Sequence, residues 1–283
     1  MRKLNMMWTM VRSVFIKGIV QWRLLMAFGT ALILIHRSMG FVAADMEMYG
    51  VQNIHWLEMA ATLYANTDIT SLVVLAILVW MSDAPFFNQS EVFVVQRTGR
   101  WPWMITRLLY AIGGSGLFLL MEGIFITLWG LPHAGAEQLS PMFYSRCIFY
   151  DPTMVMPPAY AAGVGFLLNW MSVSIFVLLM FAINMRRSRG VGLAVTALYW
   201  GFDLIFQFTM IKSDLKWLMF SPTFSKSLTS VVTKFANAGG GPTLTEAVLV
   251  MGGMLLILLT VILLLTPGYP FPFVKSREGK ITD

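Results

Sequence analysis

The sequence leads to an all-α integral membrane fold: six transmembrane helices, an amphipathic helix ahead of them, and one long polar loop between the second and third. Composition points there first. Of 283 residues, 57% are hydrophobic and 12% charged, with a mean hydropathy of +0.71, whereas soluble domains carry about 25% charge. Six apolar segments bounded by polar or basic residues, the second of them interrupted, point the same way. So does the basic bias: of 20 Lys and Arg, 14 fall on the side of the runs that holds both termini and 5 on the other, with Arg37 inside a run. By the positive-inside rule the richer side is cytoplasmic.

Residues 1–21 are expected to form an amphipathic helix in the interface. Trp8, Val11, Phe15 and Ile19 share one face, with Arg2, Lys3, Arg12 and Lys17 interspersed. Charge breaks the apolar run and no small-residue cleavage site follows, so the stretch is not read as a signal peptide. The first span is expected over Trp22–Ala43. It contains His36 and Arg37, which a rise of about 1.5 Å per residue places roughly 21 Å from Trp22, in the outer half. Arg37 either snorkels outward or lines a cavity and pairs with an acid from another helix.

Residues 44–58, with Asp45 and Glu47, are expected outside. The second span, Met59–Met81, is interrupted by Asn66 and Asp68, so that its clean apolar run is only Ile69–Met81. The third span, Met104–Leu131, holds Gly113-Gly114-Ser115-Gly116. A G-x-S-G string inside a membrane helix resembles the serine site of rhomboid proteases, yet the only histidine after Ser115 is His133, in the outer loop beyond the same helix. A glycine-lined surface for close helix packing accounts for the string better.

Residues 133–158 are expected to lie along the outer surface. The fourth span, Ala159–Met185, ends at Arg186-Arg187-Ser188-Arg189, and the fifth, Gly190–Met210, follows so closely that the two must be antiparallel neighbours. For residues 211–244 the expectation is short re-entrant helices in the outer leaflet, with a plain amphipathic surface loop as the alternative. Thr245–Leu265 is the sixth span. Pro267 ends it and opens a flexible cytoplasmic tail over 267–283. The whole of 1–283 is read as one transmembrane domain.

The polar loop over 82–102 is the most informative stretch. Asp83, Ala84 and Pro85 close the preceding run, Asn88, Gln89 and Ser90 offer a helix N-cap, and a short helix follows over Glu91–Gln96. Arg97, Thr98, Gly99 and Arg100 end it, and Trp101-Pro102-Trp103 marks the return to the bilayer interface. Physics alone permits an ordinary positive cytoplasmic loop. The string Ser82-Asp83-Ala84-Pro85-Phe86, followed by Arg97, Gly99, Arg100 and Trp103, resembles the cytoplasmic loop of ABC-2 type permeases of bacterial ABC transporters. Trp101 and Pro102 stand where that family tends to carry basic residues.

The resemblance implies a coupling helix that docks on a separate ATPase subunit, with Glu91, Gln96, Arg97, Gly99 and Arg100 as its contacts. It also implies a second permease subunit, identical or homologous, and a bacterial plasma membrane. The function it implies is ATP-driven export of a peptide, lipid-linked compound or drug.

The chain has no G-x-x-x-x-G-K-[ST] loop, no H-E-x-x-H, no Cys/His cluster and a single cysteine, Cys147. No enzyme site, metal or cofactor is therefore expected in it, and ATP with Mg would belong to the partner subunit. Nucleic acid is not an expected partner, because the net charge of +6 lies beside apolar runs, where it meets lipid head groups. One charge on each of three spans, Arg37, Glu122 and Asp203, all placed in the outer half, forms the remaining constellation, either a path or an ion pair. It keeps open an ion-coupled secondary transporter. A non-transporting scaffold or immunity protein is the third class.

Overall fold

The computed structural model describes residues 2–19, 21–65, 67–86, 91–141, 143, 157–187, 189–210 and 244–269. Among them the ordered elements are all helical, joined by turns and irregular segments, with one isolated bridge between Ile54 and Ala134. The order is α1 (Arg2–Ile19), α2 (Trp22–Met48), α3 (Glu58–Ala65), α4 (Thr67–Trp80), α5 (Glu91–Thr98), α6 (Arg100–Gly130), α7 (Pro158–Arg186), α8 (Arg189–Met210) and α9 (Leu244–Leu265). Short turns at Met81–Asp83 and Leu131–His133 follow α4 and α6.

Three stretches are long and apolar enough to cross a membrane: Arg100–His133, Pro158–Arg186 and Leu244–Leu265. Their outward surfaces are apolar, with Leu120, Ile124 and Leu128 exposed on α6 and Leu249, Leu256 and Leu264 on α9. That is the surface of a membrane protein, since a water-facing helix would carry charge there. Shorter apolar helices occur over Trp22–Ile33, Leu72–Asp83 and Gly190–Phe202.

Several boundaries differ from the sequence reading. The first long helix continues to Met48, through the first five residues of the segment expected as an outer loop, 44–58. α6 begins at Arg100 rather than Met104, because Pro102 falls in its first turn, where a missing N–H costs nothing. The second span contains α3, to Ala65, and α4, from Thr67; Asn66, one of the two residues that interrupt it in sequence, lies outside the described residues. The segment expected to be re-entrant, 211–244, lies outside the described residues except for Leu244. So do 270–283 of the tail. The tail's first residues are packed rather than free: Tyr269 stacks on Trp103 with centroids 6.2 Å apart.

Close packing in the bundle centre rests on glycines, as expected where lipid is as apolar as any side chain and burial alone supplies little drive. A Cβ on Gly114 would lie 2.8 Å from Met81 Cε, and one on Gly116 2.7 Å from Trp170 Nε1. Trp170 Nε1 in turn donates to the Ile112 carbonyl at 2.8 Å, and Ser115 Oγ donates to the same oxygen. Ser115 is thus buried and spent on its own helix, in keeping with the packing reading.

Tyr64 fills the equivalent place one layer further along. It lies between Gly123 on α6 and Gly165 on α7, and its hydroxyl donates to the Leu119 carbonyl at 2.9 Å. Asn169 on α7 donates to the Tyr64 carbonyl at 2.9 Å and to the Gly165 carbonyl of its own helix at 2.8 Å.

Candidate functional site

The helix ends that carry most of the basic residues meet at one end of the bundle. There the Ser82–Phe86 string is held from three sides. Arg23, in the first turn of α2, bridges to the Asp83 carboxylate and donates to Ser82 Oγ at 3.2 Å. Asn184, near the end of α7, donates to the Ser82 carbonyl at 3.1 Å and to the Ala84 carbonyl at 2.8 Å. Phe86 sits at φ 59°, uncommon for a bulky residue, with its ring edge-on to Tyr110 of α6 at 4.9 Å.

Each contact has a local cause. A chain leaving a helix has free carbonyls, and inside protein they need donors; Asn184 supplies two with one amide. Gly192 on α8 leaves no side chain where Asn184 stands, since a Cβ there would overlap its amide. The turn is thereby joined to α2, α7 and α6, and α8 packs over it.

From this fixed base the chain reaches α5. Val95 is buried, while Phe93, Gln96, Arg97, Gly99 and Arg100 are exposed. The side chain of Glu91 lies outside the described residues. Gly99 joins α5 to α6 at φ 87° and ψ 163°, a region essentially restricted to glycine. Arg100 donates from its guanidinium to the Pro267 carbonyl, tying the start of α6 to the residues after α9. Of the five coupling candidates, Gln96, Arg97, Gly99 and Arg100 are exposed.

The intramembrane trio fares differently. Glu122 is fully buried on α6, and neither carboxylate oxygen has a hydrogen-bond partner within the protein. The hydroxyl of nearby Tyr64 is already spent on Leu119. The side chains of Arg37 and Asp203 lie outside the described residues, but helix register is informative. Phe28 meets Phe118 and His36 meets Trp129, at 5.8 and 5.3 Å between ring centroids. Arg37 therefore belongs level with Trp129, two turns or about 10 Å along the axis from Glu122. Asp203 is on α8, whose main neighbours are α7, α4 and the Met81–Asp83 turn.

At the opposite end, Glu58 receives the Ser140 N–H at 2.9 Å, the Ser140 hydroxyl and the His55 N–H at 3.4 Å. His55 Nδ1 accepts the Leu57 N–H at 3.1 Å, so His55 and Glu58 cap the start of α3 reciprocally. Burial pushes the Glu58 carboxyl above its ordinary value, against the bonds from Ser140 and His55.

Sequence reasoning missed Arg23, Asn184 and Gly192. Arg23 reads as one more topology charge, and a single Asn or Gly near a span end carries no spacing signal. Among the described residues no group of acidic, His or Cys side chains could hold a metal ion. Comparison of the chain with protein-family models, curated proteins and solved structures gives no match.

Proposed function

We propose that the chain is the transmembrane subunit of an ATP-driven ABC-2 type transporter of a bacterial plasma membrane, with six spans and both termini cytoplasmic. It works with a second permease subunit and with ATPase subunits that bind ATP and Mg, and it exports a peptide, lipid-linked compound or drug. The observation that carries this reading is the exposure of Gln96, Arg97, Gly99 and Arg100 at the α5–α6 corner, at the same end of the bundle as the turn bonded to α2, α6 and α7. α5 packs against α6, so a push on α5 is passed to that helix, whose first residue is bonded to the Pro267 carbonyl. The meeting of Arg23, Ser82, Trp103, Asn184 and Tyr269 at one end supports helices that alternate in direction, as six spans require.

Co-purification from membranes tests it. The wild-type chain should bring down an ATPase with nucleotide hydrolysis in the eluate. Phe93→Ser with Arg97→Glu should lose both while eluting as a folded species. If no ATPase accompanies either, α5 is a topological loop only.

A second reading, an ion-coupled transporter, is favoured by Glu122, whose unpartnered burial costs several kcal/mol. It expects uptake or efflux that depends on the proton gradient and is lost in Glu122→Gln.

A further inference from the structure

At the end of the bundle opposite the basic one, the segment after α6 is fastened to one short turn, 54–58. Ile54 N–H donates to the His133 carbonyl at 2.8 Å, and the Ile54 carbonyl accepts from Gly135 at 3.0 Å and from Ala136 at 3.2 Å. Further along, the Glu58 carboxylate takes the Ser140 N–H and hydroxyl. Leu139 and Phe143, on either side of Ser140, share a buried cluster with Ala61, Leu168 and Met251 of α3, α7 and α9. The turn thus holds the outer segment down on the helices.

His55 closes that turn. Its carbonyl accepts the Glu58 N–H at 2.8 Å, its N–H donates to the Glu58 carboxylate at 3.4 Å, and its ring Nδ1 accepts the Leu57 N–H at 3.1 Å. Only a ring nitrogen with a lone pair can accept that N–H, so the closing form is the neutral imidazole with its proton on Nε2. Protonation puts a hydrogen on Nδ1. Two donors then face each other, and the Leu57 N–H loses its acceptor. The ring is half-buried, so water can deliver the proton. Glu58 is the charged group bonded to His55; the elements around the turn bring Asp45 and Glu47 at the end of α2 and exposed His133 and Glu137 in the outer segment. An imidazolium there competes with Ser140 for the Glu58 carboxylate. Trp56 and Leu57, within the turn, also form part of the wall of a cavity of about 580 Å³ between α3, α6 and α7, so opening the turn moves that wall.

We infer that His55 is a proton-operated latch: neutral, it closes the turn 54–58 and fastens the segment 133–141; protonated on Nδ1, it releases both. The closed turn has no place for the second ring proton and the open turn has one. Lowering pH through the ordinary histidine value, about 6.5, therefore shifts the segment toward release. The inference needs no transport partner, and it stands or falls separately from coupling to an ATPase.

The test is hydrogen exchange of the full chain in lipid nanodiscs at about pH 7.5 and about pH 5.5, on either side of the ordinary histidine value. Labelling times are scaled for the intrinsic pH dependence of amide exchange. Peptides covering 54–58 and 133–141 should exchange about fivefold faster at the lower pH, the worth of one lost hydrogen bond, while 172–180 within α7 stays unchanged. His55→Asn keeps an acceptor, because an asparagine oxygen bonds the N–H two residues on, but has no proton to gain. It should stay slow at both pH values. Glu58→Gln removes the other titrating group bonded in the turn and should keep the fivefold step. Should His55→Asn fail to fold, His133→Asn leaves His55 as the one histidine joining turn and segment, and the step must persist there. Wild-type exchange that is unchanged at the lower pH, or slows because the imidazolium pairs with Glu58 in place, overturns the inference. So does a step that survives in His55→Asn, or one lost in Glu58→Gln, which would assign the proton to the carboxylate, or one lost in His133→Asn.

Discussion

Two glycines two residues apart show how local the tolerances are. A Cβ on Gly165 would stand 2.8 Å from Tyr64 Cβ, an atom fixed to backbone, whereas one on Gly163 meets nothing within 4 Å. Gly165→Ala should therefore cost about 1–3 kcal/mol by overpacking, seen as a lower unfolding temperature in detergent. Gly163→Ala should leave it unchanged. Glu58 makes a pH prediction. Because burial raises its carboxyl above the ordinary 4.5, the folded state holds the proton more tightly than the unfolded one. Its contribution to stability is complete below that value and is lost as pH rises through the raised one. Glu58→Gln keeps an acceptor for the Ser140 and His55 N–H groups and can donate to the Ser140 hydroxyl. The variant should be at least as stable as wild type at neutral pH, and its advantage should vanish as pH falls toward 4.5.

At the scale of elements, the joint at Ser82–Phe86 should behave as one unit. Asn184→Ala leaves two buried carbonyls without their donor, a loss of about 1–3 kcal/mol. Hydrogen exchange should quicken in α5 and the Met81–Asp83 turn while α3 stays protected; uniform quickening would show that the joint is not local. Gly99→Ala forces a side chain into a glycine-only conformation, at about 1–3 kcal/mol, and should swing α5 relative to α6. How much of this was legible divides by mechanism. The Gly113–Gly116 string announced a packing surface, because it is a local departure from an apolar run. Asn184, Gly192 and Tyr64 gave no such notice. Their partners lie on other helices, and nothing in the spacing of a single span encodes which carbonyl a distant amide will meet. Which of Arg37, Glu122 and Asp203 come together was not legible either, because rise arithmetic measures depth along each helix and not the offset between two of them. The ring contacts Phe28–Phe118 and His36–Trp129 fix that offset.

For the molecule as a whole, the exposed apolar surfaces of α6, α8 and α9 and the clustering of basic helix ends agree with a bundle standing in a bilayer. In cells, with Cys147 replaced by serine, a single cysteine at Arg97 should react only with thiol reagents admitted to the cytoplasm. One at His133 should react with impermeant reagents outside. Labelling of both from one side would remove the alternating arrangement on which six spans depend. Hydropathy made the long apolar helices readable because length and composition suffice for them. The lateral order of the helices was not readable, since it is set by where Gly114, Gly116, Gly123 and Gly165 let rings seat.

The bond from Arg100 to the Pro267 carbonyl spans 167 positions of chain. During synthesis, α6 enters the membrane long before its partner exists. The α5–α6 corner stays untethered until the final helix has left the ribosome, and only then can it stiffen. A chain truncated before Pro267 should leave this corner loose, read as faster hydrogen exchange around Thr98–Arg100 than in the full chain.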